Sequence, residues 1–180
     1  MRVVLSIVVP TYRRPASFLR LCTSVERFAP PGTELIAIIQ SPDTIPPAGV
    51  RVYWAHPGYP GPHRHRGAQM ARGDFLLFLD DDHELLPTFS AAWPQLQVLA
   101  AEPALVSLPL RDGLPLQPRG GVVALSGGML VTRAVYERVG GFGTDYLDDI
   151  EFCLRCRWAG IPVRRAPVVS RHITAASLVG

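Results

Sequence analysis

The sequence predicts an α/β fold in which a mostly parallel central sheet is flanked by helices, and three observations carry that expectation. Over the first third of the chain, apolar strand-like runs alternate with a helical segment, the pattern of parallel strands joined by right-handed crossovers. The run FLLFL at 75–79 is apolar throughout, which suits a strand covered on both faces rather than one. Finally, 180 residues with 48% hydrophobic and 18% charged content are enough to bury one sizeable core and too apolar for a disordered chain.

The elements follow in order. Residues 3–9 form a buried strand, 16–28 a helix and 35–39 a second strand. Pro42, Pro46 and Pro47 stiffen a loop before a short strand at 50–54. The stretch AHPGYPGPHRHRGAQMARGD begins as a Gly/Pro loop and continues as a short helix ending near Gly73, so its embedded RGD is a helix end rather than an adhesion signal. The strand at 75–79 comes next, then a helix over about 87–101, a strand at 105–108 and a turn-rich hairpin at 112–121. The stretch VVALSGGMLVTRAVYERVGGF carries a strand, a glycine pair and a short helix. A helix over 146–159 and an extended segment over 163–173 complete the chain. There are no repeats, low-complexity tracts or interdomain linkers, and a single domain is expected.

Composition narrows the functional classes. The formal charge is +3, yet every one of the 18 basic residues is arginine, and lysine and asparagine are absent, as a GC-rich gene would give. The arginines are scattered without a dense run or interleaved aromatics, so no nucleic-acid partner is expected. Cys22, Cys153 and Cys156 are too few for a disulfide framework. The CxxC of the last two falls inside a helical segment without a second pair, which favours helix packing over zinc or redox chemistry. No apolar stretch reaches membrane-spanning length, and Pro10 breaks the opening run. The expected location is the cytoplasm, with peripheral attachment at the inner membrane face as a variant of it.

The apolar strand at 75–79 runs directly into Asp80, Asp81 and Asp82. Adjacent like charges raise one another's pKa and cost stability unless a counter-charge is present. In a parallel sheet they emerge at the carboxyl ends of the strands, where ligands bind. Strand alternation would point Asp80 and Asp82 one way and Asp81 the other. Two carboxylates sharing a direction suit a hard divalent cation that also holds phosphates. The plain alternative is an acidic turn that ends a strand and caps a helix.

Four stretches decide between these. SIVVPTYRR (6–14), RHRGAQMARGDFLLFLDDDHELLP (64–87), GGMLVTRAVYERVGGF (127–142) and DYLDDIEFCLRCRWAG (145–160) resemble, in order, four landmarks of family 2 glycosyltransferases. The resemblance implies a GT-A fold, with a nucleotide-binding half over about 1–82 and an acceptor half over about 83–180. It implies a nucleoside-diphosphate sugar donor, most simply UDP-linked, and a hydroxyl acceptor that is a glycan, a lipid-linked group or a small molecule. Pro10, Thr11 and Tyr12 correspond to the turn that contacts base and ribose, although Tyr12 alone is equally a strand-ending residue. Arg64, His65 and Gly67 match the family's R-N-x-G, with His65 in place of asparagine. Asp80 and Asp82 match its D-x-D. Asp80 and Asp81 then belong to donor binding, and Asp82 ligates Mn²⁺ or Mg²⁺, the counter-charge that the aspartate cluster calls for. His172 stands where GT-A enzymes place a further metal ligand, or is a structural histidine. Asp149 matches the catalytic aspartate of the E-D motif, with Asp148 replacing the glutamate, or is a helix cap. Gly127 and Gly128 permit a close backbone approach to a sugar, or make a bend.

The sequence also departs from the family pattern. IIQSPDTIPP stands where members carry D-x-S-x-D for the uracil and ribose, leaving Ser41 and Asp43 as substitutes. The chain ends eight residues after His172, so a second subunit or a partner protein is one way to complete the acceptor site. A phosphatase or a sugar nucleotidyltransferase would need a lysine, and there is none. The remaining alternative is a nucleotide-sugar-binding domain without turnover.

Overall fold

The computed structural model describes residues 2–109, 128–143 and 148–173. The hairpin expected at 112–121, Gly127 and the first residues of the helix expected at 146–159 lie outside them. The strands are β1 (Leu5–Thr11), β2 (Thr33–Ile39), β3 (Arg51–Trp54), β4 (Phe75–Phe78), β5 (His83–Leu85), β6 (Leu105–Ser107), β7 (Met129–Thr132), β8 (Val163–Arg165) and β9 (Ser170–His172). The helices are α1 (Pro15–Phe28), α2 (Pro60–Met70), α3 (Thr88–Ala101), α4 (Arg133–Arg138) and α5 (Asp148–Trp158). Among the described residues, seven strands form one sheet in the order β3-β2-β1-β4-β7-β6-β8, and β5 pairs with β9 in a separate ribbon. The β3-β2-β1-β4 portion is parallel. The antiparallel strand β7 sits between β4 and β6, and β8 joins β6 in parallel.

Why the strands are apolar throughout is visible in how their residues divide. Ile7 and Val9 of β1 and Leu35, Ala37 and Ile39 of β2 pack with Phe18, Leu21, Cys22 and Val25 of α1 and with Phe89, Trp93 and Leu96 of α3. Val8, Ile36, Ile38, Leu76 and Phe78 face the opposite side, against Ala68 of α2, Tyr136 of α4 and Phe152, Cys153 and Cys156 of α5. Successive strand residues thus feed two cores, as a sheet covered on both faces requires. Cys153 and Cys156 are buried thiols whose pKa values burial pushes up to about 12 and about 11, consistent with packing rather than thiolate chemistry. In α1 the core residues recur at i, i+3, i+4 and i+7, and Pro15 occupies the first turn, where a missing N–H costs nothing.

At the edge of the sheet away from the strand carboxyl ends, Glu34 is a buried hub. Its Oε1 accepts from Ser6 Oγ (2.7 Å) and Arg72 N (2.6 Å), and its Oε2 from Arg51 (2.8 Å) and Arg72 (3.0 Å). Burial raises the Glu34 pKa, but these donors outweigh it and hold the carboxyl below its usual value. A depressed pKa contributes stability above the unfolded value that is lost as pH falls through the folded one. Glu34→Gln is therefore expected to cost about 2 kcal/mol at pH 7. That difference should shrink in urea titrations carried out well below pH 4.5; a pH-independent gap would rule out a charge-based role.

Two expectations are corrected here. Strand β4 ends at Phe78, so the three aspartates lie on the turn beyond it, and strand alternation is not what sets their directions. The extended segment at 163–173 is two short strands, of which β9 leaves the main sheet to pair with the unforeseen β5.

Candidate active site

Strands β1 and β4 stay in register only as far as Val8↔Phe78, while β1 continues with β2 to Thr11↔Ile39. Helix α1, which leaves β1, and helix α2, which leads into β4, pack on opposite faces. A crevice therefore opens between the carboxyl ends of β1 and β4, at the switch point where open α/β sheets bind ligands. A cleft of about 600 Å³ lies there, walled by Pro10, Tyr12, Arg14, Gln40, Gly58, Arg64, Asp80, Asp81, Asp82, Asp148 and Asp149, among others. A larger groove of about 780 Å³ runs beside α1 and the start of β2, but its acidic hub Glu34 is already paired with arginines.

The chain enters the cleft through a strained turn. Arg13 has φ of 54°, the left-handed region that non-glycine residues seldom occupy, and its N–H donates to Ser41 Oγ (2.9 Å). This turn leaves Tyr12 partly exposed at the cleft wall and swings Arg14 over the aspartates. Arg14 lies 3.3 Å from Asp81 Oδ1 and 2.5 Å from Asp82 Oδ2. Thr11 is buried and does not line the cleft; its hydroxyl donates to Asp81 Oδ2 (2.8 Å) and so positions that carboxylate. Burial raises the Asp81 pKa despite Thr11 and Arg14.

Arg64 is the second guanidinium. Nearly buried on α2, it bridges Asp80 at the end of β4 and Asp148 at the start of α5. Burial disfavours the charged Asp80, but Arg64, His83 and Arg14 outweigh it and lower its pKa. Asp148 goes the other way, because its burial prevails over Arg64. Asp149 is half-buried in the same wall, with Oδ1 accepting from Ile150 N (2.8 Å). Five carboxylates thus face two arginines around one cleft, leaving an excess of negative charge.

Beyond the turn, the β5–β9 register sets His83 opposite His172. His172 Nε2 lies 3.2 Å from Asp82 Oδ2, and His83 Nε2 lies 3.7 Å from Asp82 Oδ1. Asp80, Asp82 and His83 offer ligand atoms within 4.8 Å of one another. Oxygen and imidazole donors at that spacing fit a divalent cation. Burial lowers the His83 pKa against the pull of Asp80 and Asp82.

Not every expected residue joins the site. His65 is outside the cleft, with Nδ1 3.0 Å from the Tyr136 hydroxyl. Ser41 is buried with its hydroxyl held by Arg13 N and Thr44, and Asp43 does not line the cleft. Gly128 packs against the end of β4, where a Cβ would meet Phe78 O at 3.3 Å and, just beyond the strand, Leu79 Cδ2 at 2.7 Å. Its close approach is therefore to a strand. Sequence reasoning missed Arg14, His83 and Gln40, whose Oε1 accepts from Gly58 N (3.0 Å). For Arg14 and His83 the only signal was adjacency to the motifs.

A mostly parallel sheet of this topology, with a carboxylate-rich cleft at its switch point, is the GT-A architecture of nucleotide-sugar transferases. The sequence profile described as Glycosyl transferase family 2 matches residues 6–113, and the chain belongs to that family. No curated protein sequence matches it. Among solved structures, S. aureus TarS 1–349 is similar at a TM-score of 0.75 and 15% identity, over 94% of this chain and 60% of that one. Its complex with UDP-GlcNAc gives 0.73 and 14%, over 94% and 58%. The mannosyltransferase PcManGT from Pyrobaculum calidifontis, in complex with GDP-Man and Mn²⁺, gives 0.73 and 15%, over 96% and 57%. This chain thus spans about three-fifths of the length of each.

Proposed function

We propose that the chain is an inverting, metal-dependent glycosyltransferase that moves a hexosyl group from a nucleoside-diphosphate sugar, UDP-linked in the simplest case, to a hydroxyl acceptor. The observation that carries this reading is the convergence of Arg14, Arg64 and five aspartates on one cleft at the carboxyl ends of β1 and β4. That similar folds hold UDP-GlcNAc, UDP or GDP-Man supports a nucleotide-sugar donor.

Pro10 and Tyr12, which line the cleft, take the base and ribose, and Asp80 and Asp81 in the same lining belong to donor binding. Asp82 and His172 hold Mn²⁺ or Mg²⁺, which when bound neutralises the departing diphosphate. Asp148 is committed to Arg64, so it orients rather than accepts a proton. Asp149, in the same wall, takes the acceptor proton as the hydroxyl attacks from the face opposite the diphosphate. Acceptor contacts come from a partner copy or another protein where this chain does not supply them. The location we assign is the cytoplasm, with peripheral attachment at the inner membrane face as a variant of it.

Asp82→Ala tests the reading. Arg14 keeps Asp81 as a partner in the variant, and a partly exposed ion pair is worth about 0–1 kcal/mol, so stability should hold. Metal-dependent binding of UDP-, GDP- or dTDP-sugars, measured calorimetrically, should vanish. Unchanged binding with unchanged manganese dependence would remove Asp82 from the site. The second reading, a donor-binding domain without turnover, is favoured by the turn of His65 away from the cleft. It predicts the same binding but no release of nucleoside diphosphate from any donor.

A further inference from the structure

The cation site proposed at the aspartate cluster is flanked by two imidazoles, and their placement follows from the β5–β9 ribbon. His83 and His172 are direct cross-strand partners, with ring centroids 5.9 Å apart. Asp82 stands between them: Oδ1 faces His83 Nε2 at 3.7 Å and Oδ2 faces His172 Nε2 at 3.2 Å. His83 is only 3% exposed, and its Nδ1 is buried without a hydrogen-bond partner. The ring nitrogen nearest the aspartates is the other one, Nε2, and at 3.7 Å from Asp82 it is beyond hydrogen-bond range, which leaves it available as a ligand atom. Residue 83 is also one of three side chains, with Asp80 and Asp82, whose ligand atoms gather within 4.8 Å.

We propose that His83 is a direct ligand of the site's cation, and that together with His172 it makes the site prefer a transition-metal cation, Mn²⁺ or Co²⁺, over Mg²⁺. Mg²⁺ demands a near-ideal octahedron of oxygens and gives up water reluctantly, whereas imidazole nitrogen favours the first-row transition metals. A site of carboxylates alone would discriminate little between Mg²⁺ and Mn²⁺. Adding two imidazoles moves the preference toward the transition metals. The inference rests on the reading that the D-x-D cluster holds a cation at all.

The test uses the whole chain and the metals themselves, with and without UDP. Calorimetry should give Mn²⁺ and Co²⁺ affinities at least about 10-fold above that of Mg²⁺. Electron spin-echo spectroscopy of bound Mn²⁺ should show ¹⁴N coupling from imidazole. His172→Ala should weaken Mn²⁺ binding by roughly 10-fold or more yet retain ¹⁴N coupling, which isolates His83 without altering a buried residue. His83→Asn, where its thermal unfolding matches wild type, should remove most of the preference over Mg²⁺. Mn²⁺ bound without nitrogen coupling, coupling lost entirely in His172→Ala, or equal affinities for Mn²⁺ and Mg²⁺ would each overturn the role of His83 while leaving a metal-dependent transferase standing. No divalent binding in either condition would overturn both.

Discussion

Asp149→Asn is expected to leave nucleotide-sugar affinity near wild type while lowering transfer by about 10²- to 10⁴-fold, the usual worth of a positioned general base. Two features of the wall point to this residue. Asp148 is tied to the Arg64 guanidinium and buried, so it is poorly placed to meet an acceptor. Asp149 lines the same cleft half-buried, with one oxygen fixed by the backbone of Ile150. Asparagine keeps the shape and that hydrogen bond but cannot take a proton. The measurement needs a working acceptor, so an acceptor screen with the unmodified protein comes first. Donor affinity lost in parallel with turnover would make Asp149 a support of the nucleotide site, and transfer at the wild-type rate would remove it from catalysis.

Arg64→Ala is expected to be the most destabilising change in the site, at about 3–5 kcal/mol near neutral pH, because it strands the buried carboxylate of Asp148 without a counter-charge. The pH dependence carries the diagnosis. Burial already raises the Asp148 pKa in the intact protein, and losing Arg64 raises it further. A group with a raised folded pKa stabilises below its unfolded value and loses that contribution as pH rises through the folded one. The deficit of the variant should therefore be smallest near pH 4 and grow toward pH 7. Arg64→Ala/Asp148→Asn should recover part of it at pH 7. Chemical denaturation across that range is sufficient, and a deficit that is flat with pH would assign the loss to packing instead.

How much was legible in the sequence depended on the length over which a pattern was repeated. The strands at the centre of the sheet were legible because both faces are covered, so Leu35–Ile39 and Phe75–Phe78 had to be apolar without interruption. The carboxylates and Arg64 were found because they stand in motifs. Their partners were not, since the motif gives no indication that a left-handed Arg13 delivers Arg14 to Asp81 and Asp82. The expected counter-charge was a cation alone, and the structure supplies two arginines as well. Consecutive residues on a helix point about 100° apart, and here Arg64 enters the cleft while His65 turns to the Tyr136 hydroxyl, a division that the motif alone does not indicate. Strand β5 was invisible because three residues are too few for alternation to register, and β9, inside the segment read as extended, gave no sign of leaving the main sheet; only their mutual pairing defines them.

That pairing reaches further than its size suggests. Leu86 N donates to Val169 O (2.8 Å) and Ile173 N to Asp82 O (2.5 Å), while Arg171 reaches Glu84 across a sequence separation of 87. The ribbon fastens a late segment of the chain back onto the aspartate turn. Contacts between residues so far apart in sequence are the non-local kind, which local helix and turn formation does not bring about. Until the ribbon pairs, Asp82 has no His172 beside it and His83 has no cross-strand partner. A cation held by both histidines would then act as a non-covalent rivet between distant parts of the chain, and donor-site assembly would become a checkpoint that only the fully folded molecule passes.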